Sequence, residues 1–411
     1  MSHAQIEAGT ETTPEVEVMR VSRIAPRSAS SRLVRKAVYG TILLVLFLLS
    51  AEMTARLDDW LHLGVPIFAT PDMDRDLLMR DENGTRGRPH GRFKKWQLNA
   101  YGFRSPEISF TPSPDCKRIM VLGASETFGL YESENKEFPA QLAGLLEQQG
   151  RCEVINAALP GMTIRSMTRY WETWAGQFRP DVVVIYPSPM FYLSDSFSRA
   201  PRPKGQPRAA EQESAPEMRS RLLFRMKDTF HVPDFIEKWR AERDIRAKID
   251  SLTAGEDGTF FRAVPRERID LFSADLVRLV KSIQKQGARP ILLTHAIRSA
   301  IPPRAEDLSD LRSARVHLPR VPEEVLAEFE QAAARAVVAR AGECAVRVVD
   351  IAGAIGGRRE WFADLVHFND EGATVVGELV AEGVRAEWGA ASPDRAGGQI
   401  SSRSVEAIDM K

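Results

Sequence analysis

The chain has 411 residues, enough for one main domain with appendages. Its 56 basic residues (Lys and Arg) balance 56 acidic residues (Asp and Glu), so bulk charge gives no indication of a nucleic-acid partner. The three cysteines show no zinc-type Cys/His spacing, and we expect no metal site.

The N-terminal part predicts a membrane anchor. Residues 1–31 are polar and are expected to form a disordered cytoplasmic leader. Segment 32–55 contains an uncharged apolar run at 37–51, at the short end of the roughly 17–25 residues that span a bilayer. A cleaved signal peptide is a rival interpretation. We favour an uncleaved single-pass anchor, because the basic leader is long and the possible cleavage site is poor; everything after the anchor would then lie outside the cytoplasm.

The rest of the chain predicts one α/β domain at 116–390, preceded by a juxtamembrane arm at 56–115. Short apolar segments alternate with amphipathic ones. The predicted strands are 118–122, 153–157, 181–186, 290–294 and 346–351. The predicted helices are 137–149, 167–177, 274–286, 321–341 and 370–388. This alternation indicates a three-layer α/β/α flavodoxin-like sandwich with a five-stranded parallel sheet.

Two segments fall outside this alternation. An insertion at about 196–265 opens Pro-rich and basic and continues as a highly charged helical stretch. Charge density favours a solvated helical excursion, but the position after the third strand leaves open a cap over the site or a partner surface. The tail, 391–411, is polar and is predicted to be disordered.

Candidate site residues follow all five predicted strands, at the edge where ligands bind in open parallel sheets. In strand order they are Ser125, Gly161, Ser188, His295 and the pair Asp364 and His367. Each has a structural explanation when taken alone: a helix cap, a turn, a strand-end histidine or a loop acid. Their convergence on one edge of one sheet favours a catalytic site.

The residue types also fit acyl transfer. A serine hydroxyl is a poor nucleophile until an imidazole accepts its proton, which is the role predicted for His367. Asp364 would fix the tautomer of His367 and stabilise the imidazolium. The backbone N–H groups of Ser125 and Gly161 would donate to the oxyanion.

Three segments resemble sequence blocks of the SGNH (GDSL-type) hydrolases. Gly-Ala-Ser-Glu-Thr-Phe-Gly at 123–129, the stretch 156–161 and Asp-Leu-Val-His at 364–367 look like blocks one, two and five. Asn-Ala-Tyr-Gly-Phe-Arg at 99–104 is similar to the segment before block one in membrane-anchored bacterial members. The resemblance covers about 118–388, with the insertion unaccounted for. It implies a flavodoxin-like sandwich and esterase, deacetylase or acetyltransferase chemistry without a metal or other cofactor. The implied triad is Ser125, Asp364 and His367.

Two positions depart from the family pattern. Ala124 stands where the family has Asp. The third block normally ends in an Asn whose side chain is the third oxyanion donor, but this chain has Ser188 between two prolines, which lack an N–H. Ser188 or Tyr192 would have to replace the Asn. Since losing one donor typically slows turnover by about 10²–10³, slow or lost activity is an open alternative.

Together with this resemblance, the sequence predicts a single-pass protein of a bacterial inner membrane whose periplasmic domain is a serine-dependent acyl esterase or O-acetyltransferase. Its expected substrate is an acylated carbohydrate, namely an acetylated cell-surface or exported polysaccharide; this follows only from the resemblance and the inferred location. A second hypothesis is a catalytically weak or inactive glycan-binding or scaffold module that works with polysaccharide-assembly proteins. A third is a lipid or arylester hydrolase held at the membrane.

The cysteines are the last prediction from the sequence. Cys116 and Cys152 precede the first and second strands, which are neighbours in the 2-1-3-4-5 strand order of this fold. If the domain is periplasmic, we predict a disulfide between them, with Cys344 left as a thiol.

Overall fold

The N-terminal unit contains one long apolar helix. The computed structural model describes residues 29–63, 67–68, 73–82, 84–93, 95–147, 152–194, 243, 247, 261–315 and 317–390. Helix α1 spans Ala29–Leu63. Its segment Leu33–Thr54 has 22 residues and a mean hydropathy of 1.8. At 1.5 Å per residue this is about 33 Å, against about 30 Å of bilayer hydrocarbon. The helix is thus long and apolar enough to cross a membrane, a property that signal sequences share.

In the second unit, Asp58–Lys411, helix α2 (Met73–Leu77) and two small hairpins precede the main sheet. Strand β1 (Leu78–Asp81) pairs antiparallel with β2 (Gly84–Gly87), and β3 (Arg92–Phe93) pairs with β4 (Trp96–Gln97).

A five-stranded parallel sheet forms the centre of this unit. Its strands are β5 (Lys117–Leu122), β6 (Cys152–Asn156), β7 (Val182–Ile185), β8 (Arg289–Leu293) and β9 (Arg347–Val349). Their order is β6-β5-β7-β8-β9, so all five predicted strands and the 2-1-3-4-5 order are confirmed. Strand β7 is buried throughout, because helices cover both of its faces.

The helices of this unit follow the strands. They are α3 (Ser125–Phe128), α4 (Phe138–Glu147), α5 (Ile164–Thr173), α6 (Arg266–Lys285), α7 (Leu308–Ala314), α8 (Glu323–Cys344), α9 (Ile351–Ile355) and α10 (Asp370–Ala390). Successive strand residues point to opposite faces, so Ile119 and Val121 pack in one core and Met120 and Leu122 in the other. Helices α4 and α10 cover the first core, and α5, α6 and α8 cover the second. The predicted three-layer sandwich is confirmed.

Two helices begin earlier than the apolar periodicity predicts. Helix α5 begins at Ile164 rather than at 167, because Thr163 and Ser166 form a capping box in which each side chain accepts the other's backbone N–H. Helix α6 begins at Arg266 rather than at 274, directly after Pro265. The predicted leader, most of the 196–265 insertion and the 391–411 tail lie outside the described residues.

The residues before β5 hold the helix that begins at Ser125. The indole Nε1 of Trp96 donates to the Gly129 carbonyl at 3.0 Å, and Arg104 donates to the carbonyls of Phe128 and Gly129. Arg104 also forms a buried ion pair with Glu137 at 2.8 Å. The carbonyl end of α3 is therefore fixed by side chains from residues 73–115.

The predicted disulfide is not formed in this structure. Cys152 pairs in register with Lys117, so Cys116 and Cys152 do lie at neighbouring strand starts. Both are present as thiols, as is Cys344. Burial raises the pKa of the Cys152 thiol to about 11, which disfavours the thiolate that disulfide formation requires.

Candidate active site

Ser125 lies on a tight turn between β5 and α3. It is the first residue of a four-residue helix that ends at Gly129, whose φ of 88° is left-handed. A Cβ on Gly123 would lie 1.9 Å from Thr127 Oγ1, so only glycine fits before the turn. The turn leaves Ser125 partly exposed while the rest of α3 is buried.

The loop after β6 brings Gly161 to the same edge of the sheet. Asn156 Nδ2 donates to the Thr127 carbonyl at 3.2 Å, and the Leu159 N–H donates to the Gly123 carbonyl at 3.3 Å. Gly161 has a φ of 76°, which favours glycine. Within the described part of the chain, the N–H groups of Ser125 and Gly161 donate no hydrogen bond. Both are therefore available to an oxyanion, which is the role predicted for them.

Asp364 and His367 form a hydrogen-bonded pair in the segment between α9 and α10. The Asp364 carboxylate accepts the backbone N–H groups of Val366 and His367, and His367 Nδ1 donates to Asp364 Oδ2 at 2.8 Å. The Arg298 N–H donates to the Leu365 carbonyl, which ties this loop to the segment after β8. The tautomer with Nε2 as the acceptor is therefore the one this geometry supports.

The pair also sets the protonation of both groups. Burial lowers the pKa of His367, but the hydrogen bond and charge of Asp364 outweigh burial and leave the pKa raised. Burial raises the pKa of Asp364, and the same contact with His367 brings it below its ordinary value. Asp364 is thus a carboxylate at neutral pH, as an orienting acid must be.

Ser125 and His367, the predicted nucleophile and base, are not hydrogen-bonded to each other. His367 Nε2 is buried and has no hydrogen-bond partner among the described residues. The Ser125 hydroxyl donates instead to Glu126 Oε2 at 3.3 Å. The negative charge of Glu126 nevertheless helps to raise the pKa of His367, and the positive charge of His367 helps to lower the pKa of Glu126.

Glu126 is the centre of a buried network that joins three strand ends. It is 2 % exposed. Its Oε1 accepts the Ser188 hydroxyl at 2.8 Å and contacts His295 Nε2 at 3.3 Å, and His295 Nδ1 contacts Glu330 Oε2 at 2.7 Å. Since both ring nitrogens of His295 face carboxylates, the imidazolium, with two N–H donors, satisfies both contacts.

The protonation states follow from these contacts. Burial raises the pKa of Glu126, but the hydrogen bond and charge of His295 outweigh burial and lower the pKa to about 2. Burial lowers the pKa of His295, while the charges and hydrogen bonds of Glu330 and Glu126 raise it to about 10. At neutral pH the network is therefore a carboxylate beside an imidazolium.

The hydroxyls expected to replace the missing Asn are both engaged with carboxylates. Ser188 donates to Glu126, and the buried Tyr192 hydroxyl donates to Asp275 at 2.9 Å. In these contacts neither hydroxyl donates to the place where an oxyanion bound at Ser125 would lie. A third oxyanion donor from Ser188 stays a prediction.

Sequence reasoning missed Glu126 and Glu330; it placed His295 at the site edge as a strand-end histidine but gave it no partner. The sequence of α8 does contain one signal that Glu330 has a buried partner. Glu330 lies on the apolar stripe of α8, between the buried Phe329 and Ala333, where a charge requires a buried partner. The identity of that partner depends on packing across the sheet.

Glu132 is a second buried carboxylate near His367, and we expect Glu132→Gln to stabilise the protein at alkaline pH. Burial raises the pKa of Glu132 to about 7 from an ordinary 4.5, and its Oε1 has no partner among the described residues. The unfolded carboxyl ionises first as pH rises, so native stability falls between pH 4.5 and 7, by up to about 3 kcal/mol. Removing the charge should raise the thermal midpoint at pH 8 and change it little at pH 4.

Thermal unfolding of the full chain in detergent at pH 4, 6 and 8 measures this effect. Glu134→Gln is the matched control, because Glu134 is exposed two residues along the same loop. A Glu132→Gln shift that is equal at all three pH values would contradict the assignment.

The chain is similar to several solved structures at low sequence identity and low TM-score. No protein-family model and no curated protein matches the chain. An acetylxylan esterase from Geobacillus stearothermophilus is 14 % identical with a TM-score of 0.38, over 65 % of this chain and 94 % of its own. A lipase/acylhydrolase from Enterococcus faecalis is 15 % identical with a TM-score of 0.39, over 66 % and 96 %. An α/β hydrolase from the metagenome of Lake Arreo, Spain, is 14 % identical with a TM-score of 0.39, over 67 % and 97 %.

Proposed function

We propose that the protein is an SGNH-type serine esterase or O-acetyltransferase. The observation that carries this proposal is the Asp364–His367 pair, in which His367 Nε2 is buried and has no hydrogen-bond partner among the described residues. A buried imidazole nitrogen without a partner is costly unless it has a function, and accepting a serine proton is such a function.

In the proposed reaction the Ser125 oxygen attacks the acyl carbon while its proton passes to His367 Nε2. The N–H groups of Ser125 and Gly161 stabilise the oxyanion of the tetrahedral intermediate. His367 then gives the proton to the departing alcohol, and an acyl-enzyme remains on Ser125. Water or a second hydroxyl completes the cycle, giving hydrolysis or transfer respectively.

Location suggests the substrate. Helix α1 has the length and composition of a single-pass anchor, and residues 18–51 carry basic but no acidic side chains. This charge bias favours a cytoplasmic leader, with the α/β domain on the periplasmic side. An acyl-transfer enzyme held there would meet O-acetyl groups of cell-surface or exported polysaccharides, together with the proteins that assemble them.

One specific observation favours a second candidate, a catalytically weak or inactive glycan-binding module. The Ser125 hydroxyl donates its hydrogen bond to Glu126 rather than to His367, and the Ser188 hydroxyl donates to the same carboxylate. With no Asn at the third block, the oxyanion would have two donors instead of three.

Covalent labelling distinguishes the two candidates. We expect an alkyl fluorophosphonate to label the full chain in detergent, with the adduct on the peptide that contains Ser125 by mass spectrometry. Heat-unfolded protein is the control and should not be labelled, because an unassisted serine is unreactive. Absence of an adduct on the folded chain would rule out the enzyme.

Product analysis then separates hydrolysis from transfer. With an O-acetylated polysaccharide, an esterase releases acetate in proportion to enzyme concentration. A transferase instead moves isotope-labelled acetyl groups from a chromogenic acetyl ester onto a deacetylated glycan. Release of chromophore without either acetate release from glycan or transfer to glycan would count against a carbohydrate substrate.

A further inference from the structure

We propose that Glu126 restrains the resting nucleophile: it holds the Ser125 hydroxyl away from His367, and rotation of this hydroxyl onto His367 Nε2 precedes acylation. The inference rests on the proposed role of Ser125. Three observations support it.

The first observation is the pairing at the site. The Ser125 hydroxyl donates to Glu126 Oε2 at 3.3 Å, while His367 Nε2 is buried without a partner among the described residues. A serine hydroxyl has one proton to donate, so the two contacts exclude each other. The resting hydroxyl must therefore leave Glu126 before His367 can accept its proton.

The second observation is that Glu126 is held in place. Its other oxygen accepts from Ser188 at 2.8 Å and contacts His295 at 3.3 Å, and His295 is itself fixed by Glu330 at 2.7 Å. All four side chains are almost completely buried. Ser125 is the half-buried member of the network, so the serine is the part free to rotate.

The third observation is chemical. A carboxylate with a pKa of about 2 is far too weak a base to remove a serine proton, so the contact holds the hydroxyl without activating it. In the activating step the hydrogen bond from Ser125 to Glu126 breaks and one to His367 Nε2 forms. The proton then moves to Nε2 as the serine oxygen bonds to the acyl carbon.

The decisive variant is Glu126→Gln, read by the rate of fluorophosphonate labelling at Ser125. Hydrogen bonds to charged groups are stronger than neutral ones, and losing this preference is worth about a factor of ten in an equilibrium. We therefore expect labelling to be about tenfold faster than in the wild type above pH 8. The Glu126 charge also raises the pKa of His367. The acid limb of the pH profile, where the labelling rate falls as His367 becomes protonated, should therefore move to lower pH in the variant. A purely structural role would not move this limb.

Ser188→Ala is the second variant, since it removes one anchor of Glu126 and leaves the charge in place. We expect a smaller acceleration of labelling, with the acid limb unchanged. If Glu126→Gln fails to fold cooperatively, Ser188→Ala still tests the proposal. If the wild type is labelled, and both folded variants are labelled at the wild-type rate or more slowly, the restraint is wrong and the proposed function stands. No labelling of the wild type would overturn the proposed function and the restraint with it.

Discussion

Ser125→Ala is expected to abolish turnover of an acetyl ester, with a loss on the order of 10⁶ in kcat, because removing the nucleophile of a triad leaves only binding and oxyanion stabilisation. Ser125 is half-buried, and among the described residues its hydroxyl makes one long hydrogen bond, to Glu126 at 3.3 Å. The stability of the variant should therefore stay within about 1 kcal/mol of the wild type. Steady-state kinetics with a chromogenic acetyl ester and thermal unfolding of both chains measure the two quantities.

Ser109→Ala serves as the matched control. Ser109 is an exposed serine whose carbonyl, not its hydroxyl, contacts the buried Arg118. This variant should keep the wild-type rate. If Ser125→Ala retained more than about a hundredth of the activity, another residue would be the nucleophile.

The strands were predictable because their signals are local, and the strand order followed from the fold class that their alternation with helices indicates. Each strand is a short apolar run bounded by polar or turn residues, which is typical of parallel strands covered on both faces. Ser125, and the pair of Asp364 and His367, were predicted from short motifs of the same local kind. The structure places Ser125 directly after β5, and it places Asp364 and His367 between α9 and α10, where the Leu365 carbonyl accepts the Arg298 N–H of the segment after β8.

The partners of Glu126 could not be found in this way. Glu126 and His295 are 169 residues apart along the chain, and they meet only because β5 and β8 flank β7. The rotamers of Ser125 and Ser188 depend on that meeting, because an ionised carboxylate in a buried site attracts every donor within reach. The sequence patterns placed the residues of the site at one edge, but which proton each oxygen receives is decided by tertiary packing.

Asp364→Asn is expected to lower kcat by about 10⁴ while leaving the fold intact, since replacing the orienting acid of a triad leaves the base in the wrong tautomer. In the wild type His367 Nδ1 donates to Asp364 at 2.8 Å, which leaves Nε2 free of hydrogen to accept the serine proton. An amide at this position donates its own N–H to Nδ1, so the ring proton moves to Nε2. The base is then blocked, although every backbone contact that Oδ1 makes with Val366 and His367 can be kept.

The pH profile gives a second, independent reading of the same pair. His367 accepts a proton only when it is neutral, so wild-type activity should fall as pH drops through its pKa, which Asp364 raises above the ordinary 6.5. Removing the Asp364 charge should move the residual acid limb to lower pH. Glu360→Gln, an exposed carboxylate earlier in the same loop, should change neither the rate nor the limb. An Asp364→Asn enzyme with its acid limb unmoved would show that His367 is not the base, whatever happens to kcat. Loss of the carboxylate charge must lower the pKa of the imidazole that is hydrogen-bonded to it, and the acid limb follows the pKa of the base.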